Sequence, residues 1–345
     1  MSKIQEVARL AGVSIATVSR ALNDSELVSP DTRKLVFEAA KKLNYNSHTK
    51  PKQMKPKEGE LSIGIIIPDL ATFYFGELYQ GMGKIAHENK VNVLLNDLYH
   101  QDTEKSGIIG AINFMQKKGV DGIILASRFL SEQFDEDLHN VKVPMVLVLG
   151  DHEKAEMPSF RIDDIRASFD AAAYLVSRGH RSIGMISAPL ANKVAGERRL
   201  TGFKRAVENY NLPFTDKHIA YGDMRYEGGY EAMKELLHNR GDTGITAVFA
   251  ATDEMAIGAM RCIYDAGLHV PGDISVVGYD NLSISNMTTP KLTTISQPFA
   301  EIGMESMKHL VEVLKEPRKT FQQGSHFLPY KLIERESVAE VKLKK

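Results

Sequence analysis

From residue 61 to residue 340 the chain alternates between short apolar runs rich in β-branched residues and segments of helix length. The runs are SIGIIIP (62–68), VNVLL (91–95), VDGIILAS (120–127), VPMVLVLG (143–150), SIGMIS (182–187), TAVFAA (246–251) and DISVVGYD (273–280). Segments such as GELYQGMGKIAHENK, RASFDAAAYLVSRG and EMAIGAMRCIYDAG lie between them. A strand covered on both faces reads as an unbroken apolar run, and strands separated by helices pair in parallel. The pattern therefore predicts parallel sheets with helices on both faces. Seven or more such units in roughly 280 residues suit two sheets better than one. No period of the solenoid kind repeats. Ligands of open α/β sheets sit beyond the carboxyl ends of the strands, and a cleft between two sheets is a natural small-molecule site. The polar and aromatic stretch that follows the first run, PDLATFYFGE, lies at such an end.

Other chemistries find little support. Gly81-Met82-Gly83-Lys84-Ile85-Ala86 satisfies G-x-G-x-x-A, but a dinucleotide fingerprint must sit directly between strand and helix. Here it begins well after the run at 62–68, inside a helical segment. There is no Walker A loop, H-E-x-x-H or G-x-S-x-G, and the 11 histidines show no ligand spacing. The single cysteine, Cys262, rules out a disulfide framework and a multi-cysteine zinc site. No enzyme activity, cofactor or metal is expected. MSKIQEVARL has no apolar core of the secretory type, and no run approaches the ~20 residues that span a bilayer. The expectation is a cytoplasmic protein with no membrane partner.

The first 46 residues follow a different rule. Ile4, Val7, Ala8 and Ala11 recur at helical spacing, with Ser2 and Gln5 placed to cap. Gly12 breaks that helix and Ser14 can open a second, in which Val18, Ala21 and Leu22 face inward. Ala16 and Arg20 then point outward, with Ile15 on the flank. Ser29 and Pro30 open a third helix whose apolar set is Leu35, Val36, Ala39, Ala40 and Leu43. Three short helices with a glycine turn follow the helix-turn-helix plan, whose second helix enters the major groove N-terminus first. Ser14 and Thr17 can meet phosphate, Arg20 can reach guanine, and Ile15 and Ala16 can touch thymine methyls. Charge agrees. Residues 1–57 hold eleven Lys and Arg against five Asp and Glu, and the remainder holds 32 against 39. A basic head on an acidic body points to a polyanion for the head alone.

AGVSIATVSRALN, then VSPDTRKLVFEAAKKLNY, resembles the headpiece of the lac repressor/galactose repressor family. The body resembles the effector-binding core of that family, itself similar to periplasmic sugar-binding proteins. The matches include Val120–Ile124, Arg178-Gly179-His180, Arg199–Phe203, Thr252–Gly258 and Val270–Asn281. The resemblance implies an all-α helix-turn-helix headpiece at 1–46 and a basic linker at 47–60. It implies a two-subdomain core at 61–340, the first subdomain taking about 61–160 and 293–325, the second about 161–292 and 326–340. The implied protein is a DNA-binding transcriptional regulator, a repressor of carbohydrate-utilisation genes. It would act as a homodimer on a pseudo-palindromic double-stranded operator, under allosteric control by a small molecule, a sugar first and a purine as the alternative. The runner-up is a sugar-binding sensor whose headpiece does not bind DNA. DNA contact would fall to Ser14, Ile15, Ala16, Thr17, Ser19, Arg20 and Asn23, with Arg20 at the base-contacting arginine of the family.

The same resemblance nominates effector contacts. Arg199 and Asp280 would grip hydroxyls as donor and acceptor. Asp253 is either a ligand contact or a helix cap. Tyr74 and Phe75 either wall the cleft or pack in the core. Ser127, Asp163 and Gln297 sit near segment ends, and Met224 occupies a position that is often aromatic. In the family the linker forms a hinge helix in the minor groove, and Met54 falls on its wedge leucine. Pro51 and Pro56 work against such a helix, so SHTKPKQMKPKEGE reads either as a hinge or as a basic tether.

Overall fold

The chain separates into two units, residues 1–58 and 59–345. In this computed structural model the described residues are 3–23, 28–43, 60–98, 105–127, 129–154, 156–316 and 320–341, without the side chains of Lys3 and Asn23. The expected linker, with Pro51, Met54 and Pro56, lies outside them save for Glu60, and so does Ser2.

The first unit holds α1 (Lys3–Ala11), α2 (Ile15–Asn23) and α3 (Pro30–Lys42). Gly12 turns the chain at φ 67°, a left-handed value that a side chain would strain. Ser14 then caps α2, its Oγ accepting from Thr17 N at 3.0 Å. Ser29 caps α3 in the same way, with Pro30 in the first turn. Val7, Ala8, Val18, Ala21, Val36, Ala39 and Ala40 make the core. Leu35 departs from the expectation and is 54% exposed. Val36, Ala39, Ala40 and Leu43 already complete the i, i+3, i+4, i+7 face, and Leu35 falls outside it.

The second unit is built on two six-stranded sheets. Its elements begin with β1 (Ser62–Ile67), α4 (Phe75–Glu88), β2 (Asn92–Asp97), α5 (Lys105–Lys118), β3 (Gly122–Ala126) and β4 (Phe129–Leu130). Next come α6 (Asp135–Leu138), β5 (Met145–Val148), β6 (Asp151–His152), β7 (Pro158–Arg161), α7 (Asp164–Ser177) and β8 (Ile183–Ser187). A π-helical turn at Lys193–Arg198 leads into α8 (Arg199–Asn209). Then follow β9 (Ile219–Tyr221), α9 (Tyr226–His238), α10 (Arg240–Thr243), β10 (Ala247–Ala250), α11 (Asp253–Asp265) and β11 (Ser275–Asp280). The last are β12 (Thr293–Ser296), α12 (Phe299–Lys315), β13 (Gly324–Phe327) and β14 (Lys331–Ile333).

The first sheet runs β13-β7-β5-β3-β1-β2 and the second β14-β12-β11-β10-β8-β9. All pairings within the two sheets are parallel except β12 with β14. The chain crosses between the sheets after β7, after β12 and after β13. One boundary differs from the expectation, which puts 293–325 with the first subdomain. Thr293–Ser296 pairs instead with β11, Val277 opposite Thr293, so the crossing falls after residue 296. Threonine and isoleucine suit a pleated surface, and these four complete the second sheet on the side toward β14.

Alternation along β1 splits its side chains between two layers. Ile63, Ile65 and Ile67 pack with Leu78 and Met82 of α4 and Phe299 and Ile302 of α12. Ile66 faces Ile108, Ile112 and Met115 of α5. The G-x-G-x-x-A stretch lies within α4, and its first glycine has a packing explanation. A Cβ on Gly81 would stand 1.9 Å from Ala300 O, and one on Gly303 would stand 2.1 Å from Leu78 O. The backbones of α4 and α12 touch there, and only glycine allows it.

Candidate functional site

Two surfaces carry the nominated residues. In the first unit Ser14, Ile15, Ala16 and Arg20 are exposed, while Thr17 and Ser19 are half-buried. Ser14 Oγ and Thr17 Oγ1 are 2.8 Å apart at the start of α2. Ile15 is 45% exposed, an isoleucine turned away from the core beside Arg20. A positive helix end, two hydroxyls, two small apolar contacts and one guanidinium share this face, the inventory that reads base edges in a major groove. The backbone of Asn23 closes α2, and its side chain lies outside the described residues.

In the second unit the polar centre lies at the carboxyl ends of the second sheet. Arg199, the first residue of α8, donates Nε to Asp164 Oδ1 at 3.0 Å and Nη1 to Ala251 O at 2.6 Å. Its Nη1 is also 3.7 Å from Asp280 Oδ1. The guanidinium lies over the Tyr279 ring, 3.7 Å from its centroid, and Tyr279 in turn donates to Asp164 at 3.0 Å. Gln297 Nε2 donates to Asp280 Oδ1 at 2.7 Å. Burial works against the charge of Arg199, but Tyr279, Asp164 and Asp280 around it hold the proton more firmly than usual. Burial pushes the Asp280 carboxyl up to about 6, even with Arg199 and Gln297 pulling it down. The hydrogen bonds of Arg199 run through Nε and Nη1 and that of the Asp280 carboxyl through Oδ1, so a donor and an acceptor group meet at this point.

Three of the nominated residues have positive φ. Asp280 has φ 121°, Ser127 φ 53° and Met224 φ 74°, all in the region that favours glycine. Such strain persists where surrounding structure over-determines it, and it gathers at ligand sites. Tyr74 and Ser127, on the first sheet, share a hydrogen bond of 2.9 Å. Tyr74 also stacks on Phe299 at 5.5 Å. Gln297 and Phe299 lie two residues apart on one crossing segment, so that segment touches both the Tyr74 wall and the Asp280 centre. Met224 lies in the loop after β9, its sulfur 3.4 Å from Asn192 Nδ2.

Three nominated residues sit otherwise. Phe75 is buried in the core and stacked on Tyr79, because the turn of α4 that presents Tyr74 to the cleft points the next residue inward. Asp163 is the cap of α7, accepting from Arg166 N at 3.0 Å; the neighbouring Asp164 is the buried partner of Arg199. Asp253 is fully buried and is not the cap of α11, a role Thr252 takes. Its oxygens accept from Thr294 Oγ1 at 2.6 Å and Leu282 N at 2.7 Å, tying α11 to β12 and to the loop after β11. Burial and the nearby Asp280 hold its carboxyl well above the usual range. Sequence reasoning missed Asp164, Tyr279 and Asn192. A carboxyl next to a helix cap was the one signal for Asp164; nothing local marks the other two.

Comparison with known proteins covers both units. Residues 3–47 match the model of the lacI family of bacterial regulatory proteins, and residues 172–338 match a periplasmic binding protein-like domain. Catabolite control protein A of Priestia megaterium is 36% identical over 335 residues, covering 97% of this chain and 98% of that protein. A crystal structure of the lac repressor dimer bound to operator and an anti-inducer has a TM-score of 0.73 at 28% identity, covering 96% of this chain and 98% of that one. The transcriptional regulator CelR in complex with cellobiose has a TM-score of 0.71 at 28% identity, covering 98% and 100%.

Proposed function

The chain belongs to the lacI family of bacterial regulatory proteins, which are DNA-binding transcriptional regulators and not enzymes, and from that premise we propose that it represses carbohydrate-utilisation genes under the control of a neutral sugar. The observation that carries the sugar is the meeting of a donor and an acceptor, Arg199 Nη1 3.7 Å from Asp280 Oδ1, at the carboxyl ends of the second sheet. One sugar hydroxyl accepts from the guanidinium while a neighbouring hydroxyl donates to the carboxylate. Tyr74 covers the sugar from the first sheet. Met224 offers a thioether where a flat ring would favour a purine, so the sugar is preferred over the nucleobase.

Two copies would place two α2 helices on the halves of a pseudo-palindromic operator. Tyr264 and Met287, 69% and 75% exposed, are large side chains of the kind a partner protomer covers. Sugar in the cleft would shift the two sheets relative to one another and so change operator affinity. For coupling of this sort about 1–3 kcal/mol is typical. The test is a thermal-shift screen of neutral mono- and disaccharides, phosphorylated sugars and purines. A ligand selective for the folded state raises its melting temperature. A shift with purines alone would overturn the sugar reading.

A further inference from the structure

The cleft is spanned by two ion-pair straps, and each is adjacent in sequence to a residue of the candidate ligand site. At the mouth, Arg225 Nη2 is 2.6 Å from Asp69 Oδ2 of the loop after β1, and its Nη1 is 3.6 Å from Glu254 Oε1 at the start of α11. At the crossing, Arg198 Nη2 is 2.5 Å from Asp151 Oδ2, and Arg161 Nη2 is 2.8 Å from the same oxygen. Arg198 precedes Arg199, and Arg225 follows Met224.

The two straps differ in burial, and that difference sorts their roles. Asp151 and Arg161 are buried side chains, and Asp151 also accepts from Ser325 Oγ at 3.3 Å. Burial opposes ionisation of Asp151, yet Arg198 and Arg161 hold its carboxyl below the usual range. Arg198 crosses to this buried carboxylate with its side chain 23% exposed, so this strap is the drier of the two and serves as the pivot. The Arg225 side chain is 38% exposed and that of Asp69 22%. An exposed pair changes an equilibrium by roughly 1.5- to 5-fold, and salt weakens it. The mouth is therefore the strap that gives way.

Asp69 also organises the loop it belongs to. Its Oδ1 accepts from Ala71 N at 2.8 Å and its carbonyl from Thr72 Oγ1 at 2.9 Å, while Asp97 Oδ2 accepts from Leu70 N at 3.2 Å. This stiff turn leads directly into Tyr74. Pulling on Asp69 thus moves the wall that covers the ligand, and Arg225 pulls from the segment that carries Met224, on the other half.

We propose that Arg225 and Asp69 form an electrostatic latch that holds the two halves of the core closed over the candidate sugar site, pivoting on the triad of Arg198 with the buried Asp151 and Arg161. What the latch regulates rests on the sugar reading; the latch itself does not. An arriving ligand works with the latch when it leaves the pair intact and against it when it takes Arg225 for itself.

The test reads the distance between the halves directly, in full-length protein without sugar. Cys262 is buried, so spin labels go to introduced cysteines at exposed Gln80→Cys on α4 and Lys234→Cys on α9. Double electron–electron resonance then gives the distance distribution. Arg225→Glu sets a third acid beside Asp69 and Glu254, and the long-distance population should rise at least fivefold. Asp69→Arg combined with Arg225→Glu should return the short distance, and 1 M NaCl should shift the unsubstituted protein toward the long one. Unchanged distances in a folded Arg225→Glu protein, checked by circular dichroism, would overturn the latch, and so would a double variant that stays open. A sugar screen that fails while these distances shift would count against the sugar alone.

Discussion

Replacing Asp280 with asparagine should make the protein more stable and cost it its ligand. Asp280 is 8% exposed, and its carboxyl is pushed from its usual 3.8 up to about 6 in the folded protein. The folded state therefore binds more protons than the unfolded state between those two values. Stability owed to this group falls as pH rises from about 4 to about 6, then stays flat. At about 1.4 kcal/mol per pH unit, the ionised carboxylate destabilises the fold by about 3 kcal/mol at pH 7.5. Asparagine keeps the shape, can still accept from Gln297, and tolerates positive φ better than most residues. It also relieves Asp253, whose carboxyl Asp280 helps to hold up. Against this, Arg199 loses its weaker 3.7 Å partner but keeps Asp164 and Ala251. Asp280→Asn should therefore gain about 1–3 kcal/mol at pH 7.5, raising the melting temperature by about 3–10 °C. The gain should shrink toward zero near pH 4. Urea unfolding at pH 4.5, 6 and 7.5 measures it, and calorimetric titration with sugar should show at least tenfold weaker binding. A variant less stable than the parent at pH 7.5, or a difference that ignores pH, would refute the reasoning.

Other predictions follow from the same geometry. Sugar affinity of the unsubstituted protein should climb as pH approaches about 6 and level off above it, because the carboxylate accepts from a hydroxyl more strongly than the neutral acid does; a flat titration profile removes Asp280 from the contact set. Arg20→Ala should weaken operator binding by about 1–3 kcal/mol while sparing random DNA, as read by gel shift at fixed salt; equal losses on both would cancel its base-reading role. Gly81→Ala should destabilise by about 1–3 kcal/mol or more in urea unfolding, since its Cβ would meet a backbone oxygen that cannot yield. A neutral effect would mean that α4 and α12 can separate at no cost.

The strands were legible where burial on both faces leaves continuous apolar runs. β1, β3, β5, β8, β10 and β11 all fall inside the runs that the sequence marks. Strands that bind less apolar surface were not legible. Pro158–Arg161, Ile219–Tyr221 and Gly324–Phe327 are short or polar. In the site, Arg199 and Asp280 stood out through family motifs. Asp164 and Tyr279 did not, because their value depends on meeting Arg199 across 35 and 80 positions of chain, a proximity no local pattern encodes. Tyr74 and Phe75 are neighbours with opposite fates. Helix phase separates them, and the first residues of a helix are where phase is hardest to read from sequence.

The triple crossing has a consequence for the order in which the protein can be made. The first unit is contiguous and can fold as soon as it emerges. The first sheet cannot be completed so early. Its strands from β1 to β7 are finished by Arg161, but α12, which covers Leu78 and Met82 of α4, ends at Lys315, and β13 follows at 324–327. At ~5–20 residues per second, the flank of α4 waits roughly 8–30 s on the ribosome with its apolar face uncovered. Through that interval the second sheet is synthesised except for β14, which comes only at Lys331–Ile333, so neither half can mature ahead of the other. Nascent chains of this protein should thus depend on chaperones most between residues 161 and 315, and a stop codon anywhere in that stretch should leave a headpiece that still folds on an insoluble body.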